Sequence, residues 1–277
     1  MQDAYHHCET LVREADHDRF IAGLFVTADR RPHLYALYAF DIELRRVDHV
    51  VREALAGEIR LQWWRDALAG EARGDAMANP VAAALIDTVA RRGLPADALT
   101  GLIDARARDL YGEPFPTLEA FEARARLSEA TVFNLAARIL DDAGAAGQVS
   151  APAGIAMATA GVLHDLPHEA ARGRISLPLD LLDRHAVAYD SIRSGTATAP
   201  LAAAVAEFAR PGRARLDEVR RGWACLSPQA RPAFLPLAVT DALLARAERN
   251  ADPFRPAGLA PWLRQWRIWR AARRGQL

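Results

Sequence analysis

The sequence contains no lysine: all 35 of its basic residues are arginines, and 35 acidic residues balance them. The formal net charge is zero, so the basic excess typical of nucleic-acid-binding proteins is absent and we expect no nucleic-acid partner. Only two cysteines are present, Cys8 and Cys225, which excludes a disulfide framework and is typical of a reducing compartment. No run of about 18 apolar residues occurs, so we expect no helix that spans a bilayer.

Helix-forming residues are abundant instead. Ala, Leu, Arg and Glu dominate, and the alternation of Val, Ile and Thr that is typical of strands is nearly absent. The sequence therefore predicts an all-α fold. Because no long polar linker and no repeat occurs, we expect residues 1–277 to form one domain. The predicted helices include one after Pro32, one from Thr117 through Leu140, one from Pro152 to about Leu166, and one from Leu201 to Arg221 interrupted at Pro211-Gly212.

The helix after Pro32 carries a polar stripe. Asp41, Arg45, His49 and Arg52 follow one another at intervals of four, four and three residues, which places them on one side of the helix. One interpretation is a solvated face with the pairs Asp41–Arg45 and Asp48–Arg52, each contributing only a few tenths of a kcal/mol. The other interpretation is the wall of an active-site cavity. Both stay open at this point.

The residues before this stripe resemble a known signature. Leu37-Tyr38-Ala39-Phe40 is similar to the Leu-Tyr-Ala-Phe that opens the first motif of the squalene/phytoene synthase family. The resemblance implies the isoprenoid-synthase fold, with a central cavity in which aspartates hold Mg²⁺ against a prenyl diphosphate. The two aspartates of that first motif align with Arg45 and His49, which are not oxygen ligands. The implied cavity and degenerate first motif comprise Tyr38, Asp41, Arg45, Asp48, His49 and Arg52.

A second stretch, Val162 to Pro178, resembles the second signature of the family. The resemblance places its two metal-binding aspartates on Asp165 and Glu169, with Pro167 between them, so these two are the candidate Mg²⁺ ligands. Arg45 and Arg174 are candidates for contact with a phosphate, since a guanidinium can bind one in a bidentate manner. With two of the four acidic positions replaced, the chain retains half of a magnesium site.

One branch of the family departs from the pattern at the same places. Proteins linked to assembly of respiratory complex I resemble the synthases but lack the paired aspartates. Ala39 to Leu44 is similar to their Ala-Phe-Asn-x-Glu-Leu, and Pro167 matches a proline that they carry. The resemblance therefore implies an assembly-factor-like or lipid-binding protein, whose partners would be respiratory assembly intermediates, a prenyl diphosphate or another lipid. The alternative is an Mg²⁺-dependent transferase that condenses two prenyl diphosphates.

Two further features suggest other binding sites. His164 and His168 are four residues apart and could share a zinc ion with Asp165 or Glu169, although no third remote ligand is identifiable. Residues 259–277 form a basic segment with three tryptophans at helical spacing. This segment predicts either a helix that lies on an anionic membrane surface or one whose tryptophans close an end of the core. We expect a cytoplasmic protein without a secretory signal, and a peripheral position on the inner face of the membrane stays open.

Overall fold

The computed structural model describes residues 1–51, 53–72, 75–141, 146–255 and 258–277, with only the backbone of His49. The helices in these ranges are α1 Gln2–Ala15, α2 His17–Gly23, α3 Arg31–Val50, α4 Ala54–Ala69, α5 Pro80–Arg92, α6 Ala96–Asp109, α7 Leu118–Leu127, α8 Glu129–Leu140, α9 Gly147–Ala171, α10 Leu179–Arg184, α11 Tyr189–Arg193, α12 Ala199–Gly222, α13 Leu237–Ala247 and α14 Pro261–Arg274. No strand occurs in the described ranges, and the all-α prediction is confirmed.

Helix α3 is the central helix of the N-terminal half. It begins beside Pro32, whose fixed backbone angle suits the first turn of a helix. Its apolar residues, which include Leu34, Leu37 and Phe40, are fully buried because α1, α5 and α8 pack around it. Helix α8 also packs against α9, which in turn lies against α12 and α13. The two candidate motifs, on α3 and α9, are therefore carried by helices that share the neighbour α8.

Helices α9 and α12 are longer than the sequence predicts. Helix α9 starts before Pro152 and continues through Pro167, and α12 is not interrupted at Pro211. Close packing gives the reason, because tertiary contacts outweigh a local helix penalty. A Cβ added to Gly154 of α9 would lie 2.3 Å from the backbone nitrogen of Ala130 in α8. One added to Gly212 of α12 would lie 2.9 Å from Thr159. These glycines let α8, α9 and α12 approach one another closely, and this packing keeps α9 and α12 continuous.

The prediction of one helix from Thr117 through Leu140 is wrong in one respect, because the structure has two helices, α7 and α8, separated at Ser128. This residue has φ −110° and ψ −88°, outside the helical region, and its side chain is fully buried. The Ser128 hydroxyl accepts a hydrogen bond from the Arg124 guanidinium at 2.8 Å and donates one to the Glu129 carboxylate. Such local side-chain bonds compete with continued helix. The break places Arg124 and Glu129 side by side at the junction of α7 and α8.

Candidate functional site

The polar stripe of α3 is partly buried inside the protein. Tyr38 and Asp41 have relative exposures of 2% and 1%. The guanidinium of Arg19, from α2, lies 4.9 Å from the centre of the Tyr38 ring, in a cation–π arrangement. Burial, more than any other influence, raises the pKa of the Tyr38 hydroxyl. Tyr38 and Asp41 therefore lie neither on a simple solvated face nor on the wall of an open cavity.

Three arginines surround the single carboxylate of Asp41. Arg19 donates to it at 2.7 Å, Arg106 donates at 3.1 Å, and the Nε of Arg45 lies 3.3 Å away. Burial raises the pKa of Asp41, but the positive charges of Arg45, Arg106 and Arg19 lower it more, and its net pKa lies well below the ordinary range. Asp41 is thus ionised and saturated with cations. The pair Asp41–Arg45 that the sequence suggests is present, but it is buried at the aspartate.

The network continues to α6, α7 and α8. Arg106 also donates to Glu129 at 3.0 Å, and Arg124 contacts Glu129 at 3.1 Å and Asp109. Burial raises the pKa of Glu129, yet Arg106 and Arg124 lower it to about 2. We call this set the interior ion network. It comprises Asp16, Arg19, Asp41, Arg45, Arg106, Asp109, Arg124 and Glu129. Its four carboxylates and four guanidinium groups balance in charge.

A second group of charges links α3 to the end of α9. Arg174 donates to both carboxylate oxygens of Asp48, at 2.8 and 2.7 Å. Arg172 donates to the Asp48 carboxylate at 3.2 Å and to the Asp48 carbonyl at 2.8 Å. The Glu169 carboxylate lies 3.4 Å from Arg172 and 3.7 Å from Arg174. We call Asp48, Glu169, Arg172 and Arg174 the arginine bridge. In it, two guanidinium groups join the carboxylates of two different helices.

The electrostatics of the arginine bridge resemble those of a cation site that is already filled. Burial raises the pKa of Asp48, but the hydrogen bonds and charges of Arg174 and Arg172 outweigh it, so the net pKa is below its usual value. The hydrogen bond to Asp48 and the negative charges of Asp48 and Glu169 outweigh burial, so the pKa of Arg174 lies above its usual value. Asp48 and Arg174 therefore remain charged near neutral pH. Hydrogen bonds between a guanidinium and a carboxylate are among the stronger polar contacts in proteins.

The two candidate phosphate-binding arginines both already contact carboxylates. Arg45, which is 40% exposed, lies 3.3 Å from Asp41 and 3.5 Å from Asp16. Arg174 belongs to the arginine bridge and is 22% exposed. A phosphate that approached either guanidinium would compete with an internal carboxylate. The side chain of His49 and the whole of Arg52 lie outside the described residues.

The candidate magnesium ligands do not form a cation site as they are arranged. Asp165 is exposed and makes no ion pair within the described part of the chain, whereas Glu169 contacts two arginines. Mg²⁺ requires near-octahedral oxygen coordination, of which two carboxylates would supply only part. Over the described residues, no three His, Cys, Asp or Glu side chains converge as a metal site requires. The same finding applies to zinc at His164 and His168, both of which are exposed.

An apolar pocket lies elsewhere, between α9, α12 and α13. Its empty volume is about 490 Å³, including its opening to solvent. Leu163 from α9, Val205 from α12 and Leu243 from α13 give it apolar walls, and His164 and Asn250 contribute polar groups. Of the first-motif residues whose side chains the structure describes, none lines this pocket, nor do Asp165 and Glu169. Its apolar walls lie apart from both charged networks.

Sequence reasoning missed most members of the two networks. Arg19 lies 22 residues from Asp41, its partner, and Arg106 lies 65 residues from it. With 35 arginines in the chain, no single one stands out by composition. A usable signal is the repeated coincidence of Arg and an acidic residue at helical spacing, as in Arg106 and Asp109. The pairs across helices carry no such local signal.

The fold and the position of the site between α3 and α9 define an isoprenoid-synthase-like protein. The chain belongs to the squalene/phytoene synthase family, whose sequence model matches residues 12–270. The crystal structure of squalene synthase HpnC from Alicyclobacillus acidocaldarius superposes with a TM-score of 0.75 and 28% identity, over 90% of this chain and 94% of that one. The resemblance seen in the two signatures is thereby confirmed.

The relatives of this chain include an assembly factor and a synthase. The human protein named NADH dehydrogenase (ubiquinone) complex I, assembly factor 6 is 24% identical, over 91% of this chain and 76% of its own length. The chloroplastic phytoene synthase of Narcissus pseudonarcissus is 23% identical, over 90% of this chain and 61% of its own length. Overall identity is thus nearly the same to an assembly factor and to a synthase. Because overall identity does not separate an assembly factor from a synthase, the choice between the two functions has to rest on the residues at the site.

Proposed function

We propose that this protein is a member of the squalene/phytoene synthase family that does not couple prenyl diphosphates and acts as an assembly-factor-like or lipid-binding protein. Coupling requires a diphosphate to leave, and the family neutralises that departing charge with metal ions held by carboxylates on two facing helices. Charge stabilisation of this kind is usually the largest single contribution to catalysis. A chain that has replaced the carboxylates that hold these metal ions has lost the main source of rate acceleration.

The observation that carries the proposal is the arginine bridge. Asp48 on α3 and Glu169 at the end of α9 are joined by Arg172 and Arg174 at distances of 2.7 to 3.7 Å. Fixed guanidinium groups thus neutralise these carboxylates, and no ion has to enter or leave. The bridge also fastens the two helices together. A protein that serves as a scaffold or a carrier benefits from such a link, whereas one that must admit metal and diphosphate does not.

The interior ion network supports the same proposal. Tyr38 and Asp41 stand where the resemblance implies a cavity wall, and both are covered by Arg19 and its neighbours. A hydrocarbon chain placed against them would have to displace charged groups. Those groups would then be buried without their partners and without solvation by water, which costs free energy. A lipid would more readily occupy the apolar pocket beside Leu163. In the proposed function, therefore, the bound lipid sits outside the former catalytic centre.

One observation favours the alternative, an active prenyl transferase. The 28% identity to squalene synthase HpnC extends over nearly all of both chains, and the exposed carboxylate of Asp165 makes no ion pair with any residue that the structure describes. If substrate delivered the metal with its diphosphate, Asp165 and Glu169 would be the groups that receive it. The two functions differ in one measurable product, the released diphosphate.

The first arm of the test measures that product. Purified protein is incubated with farnesyl or geranylgeranyl diphosphate and millimolar Mg²⁺, and released diphosphate is followed beside squalene synthase HpnC as a positive control. We expect no release above that of heat-denatured protein, because the leaving-group charge is not stabilised. Turnover that disappears in Asp165→Ala would establish the alternative and contradict the proposal.

The second arm tests the assembly role in a strain from which the gene has been deleted. We expect less assembled NADH dehydrogenase on native gels of its membranes, restored by the wild-type gene. The Asp165→Ala variant should restore it equally well, since that carboxylate has no part in the proposed role. Normal NADH dehydrogenase together with a loss of squalene or phytoene would instead assign the protein to prenyl coupling.

A further inference from the structure

Helix α14 presents a stripe of tryptophans to solvent. Trp262, Trp266 and Trp269 follow one another at intervals of four and three residues, so they lie on one side of the helix. Their relative exposures are 68%, 44% and 49%. Single exposed apolar side chains are common on protein surfaces, but three large ones in a row mark an interaction surface. The tryptophans therefore do not close an end of the core, which was one of the two expectations for this segment.

The opposite side of α14 is fixed to the rest of the protein, so the stripe cannot turn inward. Ile268 and Ala271 are buried against α2 and α13. Arg264 donates to both oxygens of Asp18, at 3.0 and 2.6 Å. At the far end, the indole N–H of Trp223 donates to the carbonyl of Gly275 at 2.6 Å. The helix is thus held by its apolar face and near both ends.

The charge of the outer face is of one sign. Helix α14 contains five arginines and no acidic residue. Arg264 turns inward to Asp18, whereas Arg270 lies over the ring of Trp266 at 4.6 Å and Arg273 over that of Trp269 at 5.9 Å. Arg270 and Arg273 therefore lie on the tryptophan side of the helix, close to the rings. A partner that binds this face must therefore contact indole rings and guanidinium groups that lie side by side.

We propose that the outer face of α14 docks on the surface of a membrane that contains anionic lipids. Tryptophan rings prefer the headgroup level of a bilayer, and guanidinium groups bind phosphates at that level. The exposed apolar residues of this face are tryptophans alone, which suits shallow attachment in the interface plane. Within the described ranges, no helix combines the length and the apolar character needed to cross a bilayer. This proposal does not depend on the absence of prenyl coupling.

The test is co-sedimentation of the full-length protein with vesicles. Vesicles of phosphatidylcholine are compared with vesicles of equal parts phosphatidylcholine and phosphatidylglycerol, at low and at high salt. We expect binding to the anionic vesicles only, weakened by high salt because surface charge is screened. Replacing Arg270, Arg273 and Arg274 with glutamine should weaken it by roughly a hundredfold, since each basic residue near the surface contributes about fivefold.

The tryptophan variant identifies the docking face. Replacing Trp262, Trp266 and Trp269 with alanine should reduce binding at least as much as the arginine variant, with an unchanged thermal midpoint. The matched control is Leu55→Ala with Ile59→Ala on α4, which are 70% and 65% exposed and far along the chain from α14. We expect this control to bind as wild type does. Equal loss in the control, unchanged binding of the tryptophan variant, or equal binding to neutral vesicles would each overturn the proposal. None of these outcomes bears on the diphosphate assay.

Discussion

Asp41→Asn is expected to lower the free energy of unfolding by about 3–5 kcal/mol, the usual cost of removing one partner from a buried ion pair. Asn keeps the shape of the side chain but removes its negative charge. Arg19 and Arg106, which are almost fully buried, would then face each other and Arg45 without the carboxylate between them. For a chain of this size, the loss corresponds to a drop of roughly 10 °C in the thermal midpoint. Chemical denaturation with matched m-values measures it.

The matched control removes the same charge from an exposed pair. Asp104 is 59% exposed and lies 2.7 Å from Arg65, so Asp104→Asn should cost less than about 1 kcal/mol. A cost as small for Asp41→Asn would show that the interior ion network does not hold the helices together.

The effect of Asp41→Asn also depends on pH in a defined direction. The folded-state pKa of Asp41 lies below its value in the unfolded chain, which is about 3.9. A group of this kind contributes its full stability above the unfolded pKa and loses that contribution as the pH falls toward the folded pKa. The difference between wild type and Asp41→Asn should therefore be constant from about pH 5 to 8 and shrink below about pH 4.

The sequence was sufficient to predict the helices whose limits are set locally. Pro32 and the apolar spacing after it predict α3, and Thr117 caps α7 by accepting a hydrogen bond from the Ala120 N–H at 3.2 Å. It was not sufficient where packing decides. Pro167 favours an earlier end of α9, but contacts along the whole helix keep it continuous.

The candidate site, too, could be predicted from the sequence only in part. The resemblance to the first signature predicts that Arg45 and His49 stand at two of the family's acidic positions. The sequence does not predict what neutralises Asp48, because Arg174 and Asp48 lie 126 residues apart. Residue spacing along one helix predicts pairs within that helix. It carries no information on which guanidinium crosses from another helix.

Arg172→Gln combined with Arg174→Gln is expected to make the protein respond to magnesium. Without the two guanidinium groups, Asp48 and Glu169 would face each other as like charges, and we expect a loss of about 2–3 kcal/mol in the absence of metal. Carboxylates released in this way can serve as oxygen ligands. Millimolar Mg²⁺ should then restore about 2.7 kcal/mol if its concentration is a hundred times the dissociation constant. Thermal midpoints with and without Mg²⁺ measure the response.

Wild type should show no such response to magnesium, because its own guanidinium groups already occupy both carboxylates. Arg184→Gln is the matched control: Arg184 is 57% exposed and pairs with Glu207 on the surface. It should change stability by less than about 1 kcal/mol and leave the magnesium response at zero. If wild type gained as much stability from Mg²⁺ as the double variant, a metal site would coexist with the arginine bridge. The bridge would then be no substitute for the metal, and an active transferase would become the better account of this chain.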